Sequence, residues 1–162
     1  MLNVIYEDNH LLVVEKPVNI LSQGDNTNDD DMVNLLKKYL KEKYNKPGNV
    51  FVGLVHRLDR PVGGIMIFAK TSKAASRLSE QVRNKTFKKT YKAVLHGEMK
   101  KKQDNLSDYL YKDKKTNMVS VVNKKGQQIA LWSYKIEIEH PTKKEKMEFV
   151  CEPPNKYPWN MF

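Results

Sequence analysis

The chain has 162 residues and a mass of 18.9 kDa, the size of one domain able to bury a core without metals or disulfides. Charged residues make up 30% and apolar ones 40%, too apolar for a disordered chain, and no apolar run reaches the length of a membrane span. The 29 basic residues against 19 acidic ones give a formal charge of +10, which points to an anionic partner, with nucleic acid the commonest. Only four of the bases are arginine, and lysine and asparagine both have A/T-rich codons, so codon bias is a competing source of the excess. The lone Cys151 excludes an internal disulfide and a multi-cysteine metal site, and His10, His56, His96 and His140 lack metal-ligand spacing. The first ten residues carry acids where a secretory signal would carry bases, so a cytoplasmic protein is expected.

Val4–Tyr6 and Leu11–Val14 read as two short strands around the turn Glu7-Asp8-Asn9-His10, and Pro17 breaks the second. Ser22–Asp31 is polar and reads as a mobile loop, whose acidic end caps a helix. Met32, Leu35, Leu36, Tyr39 and Leu40 share one face of that helix, which should stop near Tyr44. Phe51–Val55 reads as extended, His56–Gly63 as a loop, and Gly64–Ala69 as a buried strand. Thr71 or Ser72 caps a second helix to about Asn84, with Ala75, Leu78 and Val82 inward. Strands follow at Thr90–His96, Ser107–Tyr111, Met118–Val122, Leu131–Glu139 and Lys146–Val150. Trp132, Tyr134, Ile136 and Ile138 alternate, which predicts one wet face on their strand. The total is an α+β domain with a mixed, mainly antiparallel sheet and two peripheral helices. The runs Lys100–Lys102 and Lys143–Lys146 read as solvated turns in preference to RNA contacts.

The densest chemistry lies in Val55-His56-Arg57-Leu58-Asp59-Arg60-Pro61-Val62-Gly63-Gly64. A carboxylate stands between two guanidinium groups, which would keep Asp59 ionised for work as nucleophile or base. The glycine pair permits positive φ or close backbone approach, placing the loop beside another element. On residue chemistry alone, an Asp–Arg pair pinning a loop to its sheet is the commoner use of such a stretch.

His56-Arg57-Leu58-Asp59, the glycine turn, the apolar strand and Ala69-Lys70-Thr71 resemble the signature of the RluA-type pseudouridine synthases. Flanking features occur in family order. Glu15-Lys16-Pro17 is similar to the K-P-x-G element, with Asn19 in place of its glycine. Lys88–Val94 followed by Gly97 is similar to K-x-Y-x-A-x-x-x-G, and His140-Pro141, Met147–Phe149 and Pro153-Pro154 to the closing strand pair. Pro61-Val62-Gly63 departs from the family's x-T-S-G. A third motif like T-G-R-x-H-Q-I-R, which brings a base to the catalytic aspartate, is absent, as is the following G-D-x-x-Y-G, and Val121–Gln128 runs straight into Ile129–Trp132. The expectation is of one catalytic domain over residues 1–162 with a segment missing near 126–129, because the apolar face from Trp132 to Ile138 needs a partner surface.

The resemblance implies isomerisation of specific uridines to pseudouridine in structured rRNA or tRNA, without metal or organic cofactor. Asp59 would carry the reaction, by attack on C1′ or by removing a C2′ proton. Tyr91 would stack on the target base and help remove its C5 proton. Arg57 would fill the space left by the flipped nucleotide, with His56 and Arg60 among the RNA-binding residues, His56 chiefly shaping the loop. Lys70, Lys73, Lys88 and Lys89 are candidate phosphate contacts. RNA is the partner implied, with no membrane and no obligate protein partner. The rival readings are an inactive RNA-binding remnant of the family, which the missing motif favours, and an interaction domain with codon-driven lysines.

Overall fold

A computed structural model describes residues 2–25, 29–94, 110–112, 119–121 and 130–161. Two compact units are present, residues 1–94 with 130–162, and residues 95–129. In the larger unit, strands β1 (Asn3–Glu7), β2 (Leu11–Lys16), β3 (Gly53–Leu54), β4 (Gly63–Ala69) and β5 (Lys88–Ala93) alternate with helices α1 (Met32–Lys43) and α2 (Ser72–Arg83). The smaller unit contains β6 (Leu110–Lys112) and β7 (Val119–Val121), paired antiparallel. Strands β8 (Leu131–Glu139) and β9 (Lys146–Val150), then a 3₁₀ turn at Trp159–Met161, complete the larger unit.

The sheet runs β1-β2-β4-β8-β5, with β3 on β4 and β9 on β8; every pairing is antiparallel except β4 with β8. This is the expected α+β class. β2 and β4 are near-continuous apolar runs because helices cover both faces of the sheet. Leu12, Val14, Met66 and Phe68 pack with Met32, Leu36 and Leu40 of α1, while Leu11, Val13, Ile65 and Ile67 pack with Ala74 and Leu78 of α2. Asp31 caps α1 by accepting the Asn34 N–H at 3.1 Å, and Thr71 caps α2 through Ala74 N–H at 3.2 Å. Among the described residues, no helix is long and apolar enough to cross a membrane.

β8 differs from the sequence expectation. Trp132, Ile136 and Ile138 are buried, but so is Ser133, because that half of β8 lies inside the sheet beside β4 and β5; the wet face is confined to the C-terminal half. The apolar face therefore finds its partner surface within the chain, in one cluster with β2, β4, α2, Phe87 and Phe149. The junction near 126–129 lies outside the described residues. The two ends of the Ser22–Asp31 stretch are anchored, with Leu21 bridged to Asp31 and the Met32 N–H donated to the Leu21 carbonyl at 2.8 Å, while residues 26–28 between them lie outside the described residues. β5 begins two residues earlier than expected, and its span past Val94 lies outside the described residues.

Candidate active site

The His56–Gly63 loop enters β4 at the place where β8 joins it. Gly63 and Gly64 pair with Trp132 and Ser133 in parallel register. A Cβ on Gly63 would meet the Trp132 ring, and one on Gly64 the Ser133 backbone; Gly64 also sits at φ +114°. The close approach anticipated from the glycine pair is thus to β8. Asn19, at φ 68°, adopts the left-handed conformation expected where the family element has glycine.

His56 faces inward. β3 and β8 share one edge of β4 and leave a gap between them, where the His56 Nε2 accepts the Ile67 N–H at 3.0 Å and the Ser133 hydroxyl donates to the Ile65 carbonyl at 3.0 Å. Two side chains thereby stand in for a strand. Burial, with the charge of Lys89 adding to it, lowers the His56 pKa to about 4, so the ring is neutral; with Nε2 accepting, its proton sits on Nδ1, which is buried and has no hydrogen-bond partner among the described residues. Its exposure is 7%, and its ring borders the groove beside Arg57.

The two guanidinium groups are committed elsewhere. Arg60 pairs with Asp29 at 2.7 Å and donates through Nε to the Asn19 carbonyl at 3.2 Å; Arg57 donates to the Gln23 side-chain oxygen at 3.0 Å. The Asp59 carboxylate makes no hydrogen bond or ion pair among the described residues, while its carbonyl accepts the Val62 N–H at 3.0 Å in a tight turn. The expectation that both arginines flank Asp59 is not met among the described residues, because Asn19, Gln23 and Asp29 offer them acceptors of their own.

The cation that stands in their place is Lys16, which motif order alone gave no role. It ends β2, is fully buried, and donates from Nζ to the carbonyls of Val62 at 2.7 Å, Pro17 at 3.0 Å and Arg60 at 3.3 Å. Burial lowers its pKa to about 8, with the negative charge of Asp59 opposing the fall. A buried ammonium thus sits under the loop and within electrostatic range of its carboxylate. Tyr91 on β5 is 37% exposed and within the same range; burial first, then the charge of Asp59, raises its phenol pKa. The fold accordingly gathers Asp59, Tyr91 and Lys16 from the loop, β5 and β2.

Among the candidate phosphate contacts, Lys73, Lys88 and Lys89 are exposed. Lys70 is not available: it bonds Glu7 at 2.7 Å with its side chain 12% exposed. A groove of about 490 Å³ lies beside Arg57, walled by Val33, Val52, Leu54 and Val55 with Gln23 at its edge. Among the described residues, no cluster of three or more His, Cys, Asp or Glu is placed to hold a metal ion.

Comparison with known proteins bears on the family and the fold. The chain is 34% identical over 128 residues to a ribosomal large subunit pseudouridine synthase C of Buchnera aphidicola, covering 76% of this chain and 38% of that protein. It is 32% identical over 137 residues to a ribosomal large subunit pseudouridine synthase D of Borreliella burgdorferi, covering 82% of this chain and 42% of that one. The chain thus spans about two fifths of the length of these relatives. The structure of human RNA pseudouridylate synthase domain containing 1 superposes with a TM-score of 0.64 at 16% identity, over 98% of this chain and 85% of that one, which shows a shared fold. Human RNA pseudouridylate synthase domain containing 4 gives 0.61 at 12% identity, over 94% and 88%. The model of the RNA pseudouridylate synthase family matches residues 10–153, from the start of β2 past the end of β9, and the chain belongs to that family.

Proposed function

We propose that this chain isomerises uridine to pseudouridine in structured RNA, rRNA or tRNA, with Asp59 as the catalytic carboxylate. The observation that carries the reading is the Asp59 carboxylate, without a hydrogen bond or ion pair among the described residues, on a loop whose guanidinium groups bond elsewhere, with Lys16 beneath it and Tyr91 nearby. A carboxylate without a hydrogen-bond partner among the described residues keeps its lone pairs for a substrate.

The target C1′ is out of reach inside a stacked duplex, so the nucleotide must leave the stack. Arg57, exposed beside the loop, fills the space with a planar group able to stack on bases and bond phosphate. Asp59 then either bonds to C1′ as the N1–C1′ bond breaks, or takes a C2′ proton to give a glycal-like sugar. The uracil turns and C5 bonds to C1′ as the Asp59–C1′ bond breaks or, on the glycal route, as C2′ regains its proton; the C5 proton then leaves and N1 gains one, so product and substrate are isomers. The raised pKa of Tyr91 keeps its phenol protonated at neutral pH, which suits stacking and hydrogen-bond donation better than removal of the C5 proton. Exposed Lys73, Lys88 and Lys89 supply sequence-independent phosphate contacts.

The test is Asp59→Asn, assayed for pseudouridine in total RNA from cells lacking the native protein. Because the wild-type carboxylate has no partner among the described residues, the variant should melt with the wild type, bind RNA equally and form no pseudouridine. Turnover within about tenfold of wild type would remove Asp59 from the chemistry. A wild-type chain that binds RNA without modifying it would instead identify the non-catalytic remnant, the reading that absence of the third motif favours.

A further inference from the structure

The segment before α1 holds the candidate catalytic loop at one buried point. Ser22 is 5% exposed, and its hydroxyl meets both polar groups of a single residue, donating to the Leu58 carbonyl at 2.6 Å and accepting the Leu58 N–H at 3.0 Å. A neighbouring strand would satisfy Leu58 with an N–H and a C=O of its own; one hydroxyl does both here because it carries a donor and two lone pairs. The same oxygen lies 3.6 Å from Met66 Sγ on β4, and the Leu58 side chain is buried with Val62 and Met66. Ser22 is itself fixed through Leu21, bridged to Asp31 and accepting the Met32 N–H. Leu58 stands between Arg57 and Asp59, so its peptide planes set the direction in which both side chains leave the loop.

Resting on the function proposed above, we infer that Ser22 is a positioning residue: its hydroxyl clips the Leu58 backbone and thereby aims Asp59. Its partners are main-chain groups that persist whatever side chain occupies position 58, so the contact reads out backbone placement. Removing it leaves two buried polar groups unpaired, and the backbone relieves them by shifting towards solvent, carrying Asp59 with it.

The experiment is Ser22→Ala, read in two ways. In multiple-turnover pseudouridine assays kcat should fall about tenfold to a hundredfold while KM stays within about threefold, since phosphate contacts elsewhere are untouched. In amide hydrogen exchange on the free protein, Leu58 should exchange at least about tenfold faster, with Val13 and Ile67 in β2 and β4 within about twofold of wild type. Ser22→Thr, which restores the hydroxyl, should recover both. Unchanged kcat with unchanged Leu58 exchange overturns the inference. An equal acceleration at Leu58, Val13 and Ile67 also overturns it, because Ser22 would then support the whole sheet. Failure of the wild type to modify any RNA would remove the function proposed above; the exchange of Leu58 in Ser22→Ala then decides the clip alone, faster supporting it and unchanged overturning it.

Discussion

Replacing Lys16 with methionine removes the ammonium under the loop and keeps an unbranched chain of similar length. Two of its three carbonyl contacts, to Val62 at 2.7 Å and Pro17 at 3.0 Å, are well formed. At about 1.5–3 kcal/mol for a hydrogen bond from a charged donor, the gross loss is about 3–6 kcal/mol. Burial works the other way. A pKa of about 8 against the ordinary 10.5 makes the charged form cost about 3 kcal/mol more inside than in water. The net loss at pH 7 is therefore about 0–3 kcal/mol, and the variant should fold. The pH dependence fixes the sign. With the folded pKa below the unfolded one, the penalty is complete below about pH 8 and lifts as pH rises towards 10.5. Urea unfolding of both proteins at pH 7 and pH 10 should show the wild type gaining about 2–3 kcal/mol over Lys16→Met at the higher pH. A gap that stays constant or narrows would refute a buried charge at this position. Isomerisation by the variant should fall by at least about tenfold at pH 7, because residues 60–62 lose their anchor and Asp59 its nearest buried cation.

Arg57→Ala should weaken turnover on RNA whose target uridine is paired, and substrates carrying that uridine unpaired should recover much of it; equal losses on both would count against the flipping role. Glu7 has a side chain 7% exposed and accepts hydrogen bonds from Lys43, Lys70, Tyr39 and Tyr44. Burial alone would raise its pKa, but these donors outweigh it and hold it at about 2 against 4.5. That stabilises the fold by about 3 kcal/mol above pH 4.5, a contribution lost as pH falls towards 2. Glu7→Gln should lose a comparable amount in urea unfolding at pH 6 and show a shallower decline between pH 4.5 and 2; an acid limb matching the wild type would contradict the assignment.

Local patterning determined the elements. Periodicity placed α1 within a residue of its ends and β8 and β9 at theirs, since amphipathic faces and alternation record which side of a segment meets the core. Caps at Asp31 and Thr71, the left-handed Asn19 and the glycine turn were legible because each answers a backbone need within a few residues. The order of short motifs carried the family and pointed to Asp59 and Tyr91. What the sequence could not reveal was which charges meet. Arg57 and Arg60 adjoin Asp59 along the chain, yet their partners Gln23 and Asp29 lie 34 and 31 residues away, while the cation in range of Asp59 arrives from β2. The sequence marks His56 as chiefly shaping its loop, but does not show that its ring, with the Ser133 hydroxyl, serves the gap that β3 and β8 leave on β4. Ser22 sits in a polar stretch without period, 36 residues from the backbone it clips. Such pairings depend on how strands stack and where ladders end, so only the tertiary structure decides them, and in this protein they set the geometry of the site.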